Sequence, residues 1–430
     1  MTHFGIFCPS ETGHLNTMIT LGRELQRRGH RVTAFQVPDA QIPIQSAGLD
    51  CSVIGQTQFP LGAMIQQRTK LGQLSGIAGM RYAIEMEKQK TAVTLAEGPR
   101  AVHDAGVDVL LVDQASRGGG TVADRVGIPF ISVCSALMLN REMSVPPIFM
   151  SWGYDPSRLA YVRNCIAYFI SLGFIQPIHA LVNEHRRQWN LPLYKSPDDY
   201  YSQIAQICQQ PAEFEFPRSN LPDNFYFTGP LTDPSARDAI PFPYDQLTGQ
   251  PLIYASMGTL LNRKREVFQL IARACAGLEA QLVISLGGSL DPESLPNLSG
   301  SPIVVRYAPQ LELLKQARLT ITHAGLNTTM ESLSNGVPLV AIPITIDQPG
   351  VAARIAWTGT GEFIDLNRLN PTRLRLAIAR VLTNPSYRHN ALRLQEAIRR
   401  SGGVHRAVDI IEQVLHLERT PLESTPSHVH

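Results

Sequence analysis

The chain has 430 residues, a formal charge of +2, and a composition that is 44% hydrophobic and 17% charged. This length allows two domains that each bury a core, and the balanced charge, with no Lys/Arg block or basic stripe, excludes an extended nucleic-acid footprint. The six cysteines (Cys8, Cys51, Cys134, Cys165, Cys208 and Cys275) form no CxxC pair, which predicts buried free thiols in a reducing compartment.

The opening residues MTHFGIFCPS pass straight into polar sequence, so no signal peptide is expected and the protein is assigned to the cytoplasm. Residues 3–8 read as a short apolar strand, 15–28 carry helical spacing ending at Gly29, and 31–36 alternate like a second strand. Strands at 109–112 and 130–133 then flank a helix at 120–126. This alternation predicts an α/β fold with a doubly wound parallel sheet.

Residues 159–182 form the most apolar long stretch, but Arg163, Asn164, Gln176, Pro177 and His179 interrupt it. Two amphipathic helices are expected there rather than a membrane span, with their apolar faces packed on protein. The alternative is a surface in peripheral contact with the inner face of a membrane. Residues 230–251 collect Pro, Asp, Ser and Gly without periodicity and read as a linker. After it the rhythm restarts: strands at 252–255, 282–285 and 303–306, a helix near 266–279, and closing helices at 372–382 and 386–417. The predicted units are residues 1–235, a second doubly wound domain over 236–400, a terminal helix over 401–419, and a disordered tail over 420–430.

In the first unit, PSETGHLN joins the first strand to the first helix and leaves His14 at a helix start. Partial positive charge there disfavours imidazolium, so a neutral His14 able to accept a proton is expected. Asp113, just past the run 109–112, lies where parallel strands present side chains to a cleft and is the carboxylate best placed to orient that imidazole. Taken alone, His14 reads more readily as a helix-cap or surface histidine than as a base. In the second unit, the strand Tyr254-Ala255-Ser256 runs into Met257-Gly258-Thr259, a loop that offers backbone N–H groups and hydroxyls to a phosphate; it also reads as a plain Gly turn.

The most informative segment is THAGLNTTMESLSNGVPLVAIPITIDQ at 322–348. A β-branched strand at 319–322 delivers its end to a helix over 328–334, whose unpaired N–H groups suit a phosphate. Gly325 permits close approach, Asn327 and Thr328 can cap the helix or bond phosphate oxygens, and Glu331 lies one turn inside, where it can accept ribose hydroxyls. A strand at 339–342 leads to Asp347-Gln348, a carboxylate and an amide suited to vicinal sugar hydroxyls. An ordinary βαβ crossover shares these local features. No Asp-x-Asp, HExxH, GxxxxGK[ST] or GxGxxG motif occurs, which weighs against metal, ATPase and nicotinamide chemistry.

With Tyr307-Ala308-Pro309-Gln310 upstream, this segment resembles the donor signature of the family 1 glycosyltransferases, most of all the bacterial zeaxanthin glucosyltransferase-like branch. The resemblance implies a GT-B architecture, with the first domain binding an acceptor, the second a UDP-sugar, and the last helix crossing back onto the first. Tyr307 would stack on uracil, with Ala308 and Gln310 beside base and ribose; His323, Gly325, Leu326, Asn327 and Thr328 would surround the diphosphate, joined by Gly13, Ser256, Gly258 and Thr259. Glu331 would hold the ribose, and Asp347 with Gln348 the transferred sugar. Leu326 stands where plant members carry Trp. His14 oriented by Asp113 would be the base of an inverting transfer needing no metal or other cofactor. Loops at 59–75 and 145–174, with Met64, Phe149, Met150 and Trp152, are expected to line the pocket of a hydrophobic acceptor such as a carotenoid, terpenoid or phenol. The rivals are a nucleotide-sugar-binding partner without transfer activity and a sugar-nucleotide epimerase on the same fold.

Overall fold

The computed structural model describes residues 1–74, 76–233, 240–258, 265–288 and 290–417. Thr259 and the tail over 420–430 lie outside the described residues. The first sheet contains β1 (His3–Phe7), β2 (Arg31–Gln36), β3 (Asp50–Val53), β4 (Val109–Asp113), β5 (Phe130–Cys134), β6 (Gln206–Cys208) and β7 (Phe225–Phe227), all parallel in the order β3-β2-β1-β4-β5-β6-β7. Its helices are α1 (Thr12–Arg27), α2 (Pro38–Ser46), α3 (Ala63–Gln73), α4 (Gly76–Ala105), α5 (Gly119–Val126) and α6 (Arg158–Gln188).

The second sheet runs β10-β9-β8-β11-β12-β13, from β8 (Leu252–Ser256), β9 (Gln281–Ser285), β10 (Ile303–Val305), β11 (Ala317–Thr322), β12 (Leu339–Ala341) and β13 (Gly361–Phe363). Around it lie α7 (Arg265–Cys275), α8 (Gln310–Gln316), α9 (Leu326–Ser334), α10 (Gln348–Trp357), α11 (Pro371–Thr383), α12 (Pro385–Ser401) and α13 (Gly403–Val414). Both halves are doubly wound α/β units, as the alternation of elements predicts.

Strand β1 illustrates why the central strands carry apolar residues on both faces. Phe4 and Ile6 face a core built with α1 and α13, while Phe7 faces the opposite core with Phe35, Leu110 and Val122. A parallel strand covered on both faces has no solvent side to require polar residues. Within it Gly5 sits in a closely packed spot, since a Cβ there would lie 2.6 Å from the Leu110 side chain and 2.9 Å from the Phe35 ring, and these would have to shift.

Two predicted helical segments differ from the structure. The helix expected at 386–417 divides into α12 and α13, because Gly402 and Gly403 adopt φ of +85° and +58° and turn the chain back onto the first domain. There Val404, Ala407, Val408 and Ile411 pack into the α1 core, and Arg28 reaches Asp409 at 2.8 Å and Glu412 at 2.7 Å. The stretch at 159–182 forms one continuous helix, α6, instead of two. Pro177 and Gly173 share its exposed side, so the backbone bond that proline removes opens toward water.

The halves are joined by charge as well as apolar packing. Leu137 and Phe214 from the first domain enter the core around Met330, Leu339 and Val351 of the second. Beside them Glu215, near the end of the first sheet, accepts from Arg354 Nε of α10 at 2.9 Å, from Arg218 Nε at 3.1 Å and from Gln210 at 2.8 Å. Phe216 lies under the Arg354 guanidinium at 4.3 Å. Burial pushes the Glu215 carboxyl up, but the Arg354 and Arg218 charges and the hydrogen bonds outweigh it and hold it at about 2.

Glu215→Ala should cost roughly 3–5 kcal/mol, because it strands a guanidinium that is fully buried, and the denaturation midpoint reads this directly. A depressed carboxyl stabilises the fold above its ordinary value of 4.5 and loses that contribution as pH falls through about 2, so acid unfolding of the wild type should steepen within this window. An unchanged midpoint in the variant would contradict the interdomain role.

Candidate active site

Each sheet reverses strand order once, and the chemistry-bearing loops collect at those two points. In the first sheet the reversal falls between β1 and β4: His14 follows β1, and Asp113 is the last residue of β4. In the second it falls between β8 and β11: Gly258 follows β8, and His323 and Gly325 follow β11. Helices leaving to opposite faces open a crevice at such a point. The two crevices face each other across a cavity of about 800 Å³, lined from the first domain by Gly13, His14 and Asp113, and from the second by Ser256, Gly258, Tyr307, Ala308, Gln310, His323, Gly325, Leu326, Asn327, Thr328, Glu331, Asp347 and Gln348.

His14 Nδ1 lies 2.8 Å from Asp113 Oδ2, and Asp113 Oδ1 accepts the Ala115 N–H at 2.8 Å. Asp113 is buried. With the Nδ1 proton donated to this carboxylate, Nε2 is the ring nitrogen left to accept a proton. The neutral imidazole expected from the helix start is not what the surroundings favour. Burial lowers the His14 pKa, but the Asp113 charge and hydrogen bond, Glu11 and Asp347 together raise it to about 9. Glu11 is itself ionised, held at about 2 against burial by its contact with Lys90 at 2.8 Å. Three carboxylates outweigh one helix terminus.

On the donor side, Gly325 is the N-cap of α9 and provides no side-chain cap, so the first N–H groups of Leu326, Asn327 and Thr328 remain for a ligand. His323 fills the space between two glycines: a Cβ at Gly258 or Gly325 would come within 2.6 Å of its ring. Burial lowers its pKa to about 4 despite a backbone hydrogen bond with Ser256. His323 is therefore a neutral hydrogen-bonding ring near neutral pH. Tyr307 is half exposed, its phenol set against Gly288, which has φ +82° and no room for a Cβ. Behind it, Tyr254 OH donates to Gln310 Oε1 at 2.9 Å, and Gln310 Nε2 donates to the buried Glu331 carboxylate.

Several expected contacts are occupied by the protein itself. Asn327 Nδ2 donates to Gly13 O at 2.9 Å and its Oδ1 accepts from Gln209 at 2.8 Å, so this amide ties the domains together instead of capping α9. Gln348 Oε1 accepts the N–H groups of Ile344 and Thr345 at 2.9 and 3.1 Å, fixing the loop ahead of α10. Asp347 lines the cavity but also accepts the Leu137 N–H at 3.1 Å across the domain boundary, and burial raises its carboxyl.

The four apolar residues expected at the acceptor pocket are elsewhere. Met64 is buried in the first domain's core with Phe59, Val93 and Val102. Phe149, Met150 and Trp152 lie off the cavity, where Trp152 stacks under Arg163 at 4.4 Å. Their neighbour Ile148 is present instead, because its carbonyl accepts the Gly350 N–H at 2.8 Å and is drawn against α10. The apolar wall is completed by Ala136, Leu137, Leu139 and Ile346. Ser135 Oγ on that wall is buried with no hydrogen-bond partner among the described residues. It directly follows β5, so the rule that selects Asp113 from the end of β4 would also have selected Ser135. Among the described residues no three of His, Cys, Asp and Glu gather as a metal-ligand set.

The profile of the family described as UDP-glucoronosyl and UDP-glucosyl transferase matches residues 6–418. The zeaxanthin glucosyltransferase of Pantoea ananas is 34% identical over 421 residues, covering 96% of each chain. That of Pseudescherichia vulneris is 30% identical, covering 96% of this chain and 98% of its own. Among solved structures, the glycotransferase of kitacinnamycin superposes with a TM-score of 0.74 at 22% identity, covering 97% of this chain and 99% of its own, a likeness of fold.

In the ligand-free protein, the His14 ring should titrate near pH 9 and His323 should stay neutral to about pH 4, both followed by imidazole NMR shifts. Asp113→Asn should move the His14 midpoint down. A wild-type midpoint at or below the ordinary 6.5 would show that the carboxylates do not control this ring.

Proposed function

The chain belongs to the UDP-glucoronosyl and UDP-glucosyl transferase family and is a glycosyltransferase with a UDP-sugar donor, and we propose that it moves glucose from UDP-glucose to a hydroxyl of an apolar, carotenoid-like alcohol with inversion at the anomeric carbon. The observation that carries this reading is that the His14–Asp113 pair of one domain and the α9 terminus of the other line a single cavity. The relatives named zeaxanthin glucosyltransferase, and the wall of Leu137, Leu139, Ile148 and Ile346, support the acceptor class. Terpenoid and phenolic alcohols share its chemistry.

The acceptor hydroxyl gives its proton to His14 Nε2 as its oxygen attacks the anomeric carbon. The bond from that carbon to the β-phosphate oxygen breaks in the same displacement, and a single displacement inverts the centre. Asp113 stabilises the imidazolium that forms. UDP leaves toward the α9 N–H groups, His323 and Thr328, which take up the developing charge without a metal ion. Tyr307 stacks on uracil, Glu331 receives the ribose hydroxyls, and Asp347 binds the sugar. Ser135 Oγ is free to hold the acceptor hydroxyl or a sugar hydroxyl. An acceptor of this kind partitions into lipid, so the reading includes peripheral contact with a membrane from the cytoplasmic side.

A His14 pKa of about 9 leaves only roughly one ring in a hundred neutral at pH 7. The base is scarce but strong.

A screen of UDP-sugars against apolar alcohols should yield acceptor-dependent UDP release and a product heavier by one hexose in mass spectrometry. Donor turnover without acceptor would favour an epimerase, and donor binding with no turnover would favour a non-catalytic partner. His14→Ala should lower turnover by roughly 10²–10⁴-fold while changing the UDP dissociation constant by less than about two-fold. In the wild type, kcat/KM should climb with pH toward about 9, since only the unprotonated ring is active. A flat profile from pH 6 to 9 would remove His14 as the base.

A further inference from the structure

Helix α6 has two faces of opposite character. Its inner face packs along α4 and buries Ala160, Asn164, Ala167, Tyr168, Ile178 and Val182. Near its end the buried Arg186 is paired with Asp124 at 2.6 Å. The outer face follows the 3–4 spacing of a helix: Leu159, Val162, Ile166, Phe169, Ile170, Gly173, Pro177 and Ala180 are all exposed, Leu159 at 82% and Phe169 at 77%. These residues span about 30 Å along the helix with no charged group on that line. The helix is long and apolar enough to cross a membrane by composition, yet its inner face belongs to the domain's own core. It is therefore suited to lie along a surface rather than to span one.

The residues around this stripe indicate what covers it. From 156 to 183 there is no Asp or Glu, while Arg158 is exposed at the head of the helix and Arg163 lies one turn on, over the Trp152 ring. Tyr161, half exposed, stands beside them. Cations with Trp and Tyr next to an apolar face match the headgroup layer of an anionic bilayer, where the rings sit at the interface and the arginines meet phosphate. The loop that leads into the helix carries Ile148, which lines the cavity only eleven residues before Leu159.

We propose that the outer face of α6 docks the enzyme on an anionic lipid surface, with Leu159, Ile166, Phe169 and Ile170 entering the acyl boundary and Arg158 and Arg163 at the headgroups. The use of this contact, collection of an acceptor dissolved in lipid, rests on the apolar-acceptor reading above. The contact itself does not, and the test separates the two.

The full chain is mixed with vesicles of phosphatidylcholine containing phosphatidylglycerol, and with vesicles of phosphatidylcholine alone, and the bound fraction is read by flotation. A parallel variant carries Ile166→Ser, Phe169→Ser and Ile170→Ser, and both proteins are sized by light scattering. The expected result is wild-type binding to the anionic vesicles that falls several-fold at raised salt, on neutral vesicles and in the variant, with both proteins monomeric. Equal turnover of the two proteins on a short, water-soluble alcohol shows that the variant is folded. Failure of the wild type to float, or equal flotation of the variant, overturns the proposal. So does a wild-type dimer that the substitutions dissociate, since a second copy would then cover the stripe. Because flotation is scored without substrate, an error in the acceptor class leaves its outcome unchanged.

Discussion

Glu215 and Arg354 meet where neither retains water, and the relation between the two halves depends on that meeting. A guanidinium buried with no exposure is tolerable only beside a carboxylate of fixed geometry, and these two groups come from opposite domains. Once paired, they fix α10 against the end of the first sheet. Asp347, at the start of α10, can then reach the Leu137 N–H, and Asn327 can reach Gly13 beside His14. The spacing of the cavity walls follows from these links.

The same strand order, built twice, accounts for where the reactive groups lie. His14 and Asp113 are far apart in the chain, but Asp113 lies one register step beyond the pairing of Phe7 with Val112 and His14 stands in the first turn of α1, the helix that follows β1. Gly258 and His323 occupy the corresponding positions in the second sheet, beyond Ser256 and Thr322, which pair with each other. Each switch point provides one half of a site. Their electrostatics are opposed: carboxylates raise one imidazole to about 9, while burial without an acidic neighbour lowers the other to about 4. One ring is a strong proton acceptor and the other is uncharged at neutral pH.

Apolar residues of the first domain serve three purposes. Met64 completes a core, Leu137 and Ile148 line the cavity, and Phe169 and Ile170 face outward on α6. All are hydrophobic and all sit near loops or helices of the first domain. Nothing in residue type separates them, since the same transfer free energy favours burial against protein, substrate or lipid.

What the amino-acid sequence determined by itself was local: β-branched and apolar runs that become strands covered on both faces, glycines where backbone must approach closely, and polar residues at strand ends. From these the two doubly wound domains and part of the cavity's polar lining, His14, Asp113 and Glu331 among it, were legible, because strand period and strand-end chemistry are set by neighbours within a few residues; Glu11, Gln114 and Ser135 were not singled out. Only the tertiary structure decided the rest. The charge of His14 depends on carboxylates brought from Glu11, Asp113 and Asp347; the commitment of Asn327 to Gly13 and Gln209 depends on how the domains meet; and the exposure of the α6 stripe depends on which elements happen to cover it. Electrostatic fields and burial sum over everything nearby in space, and proximity between distant residues exists only after the chain has folded.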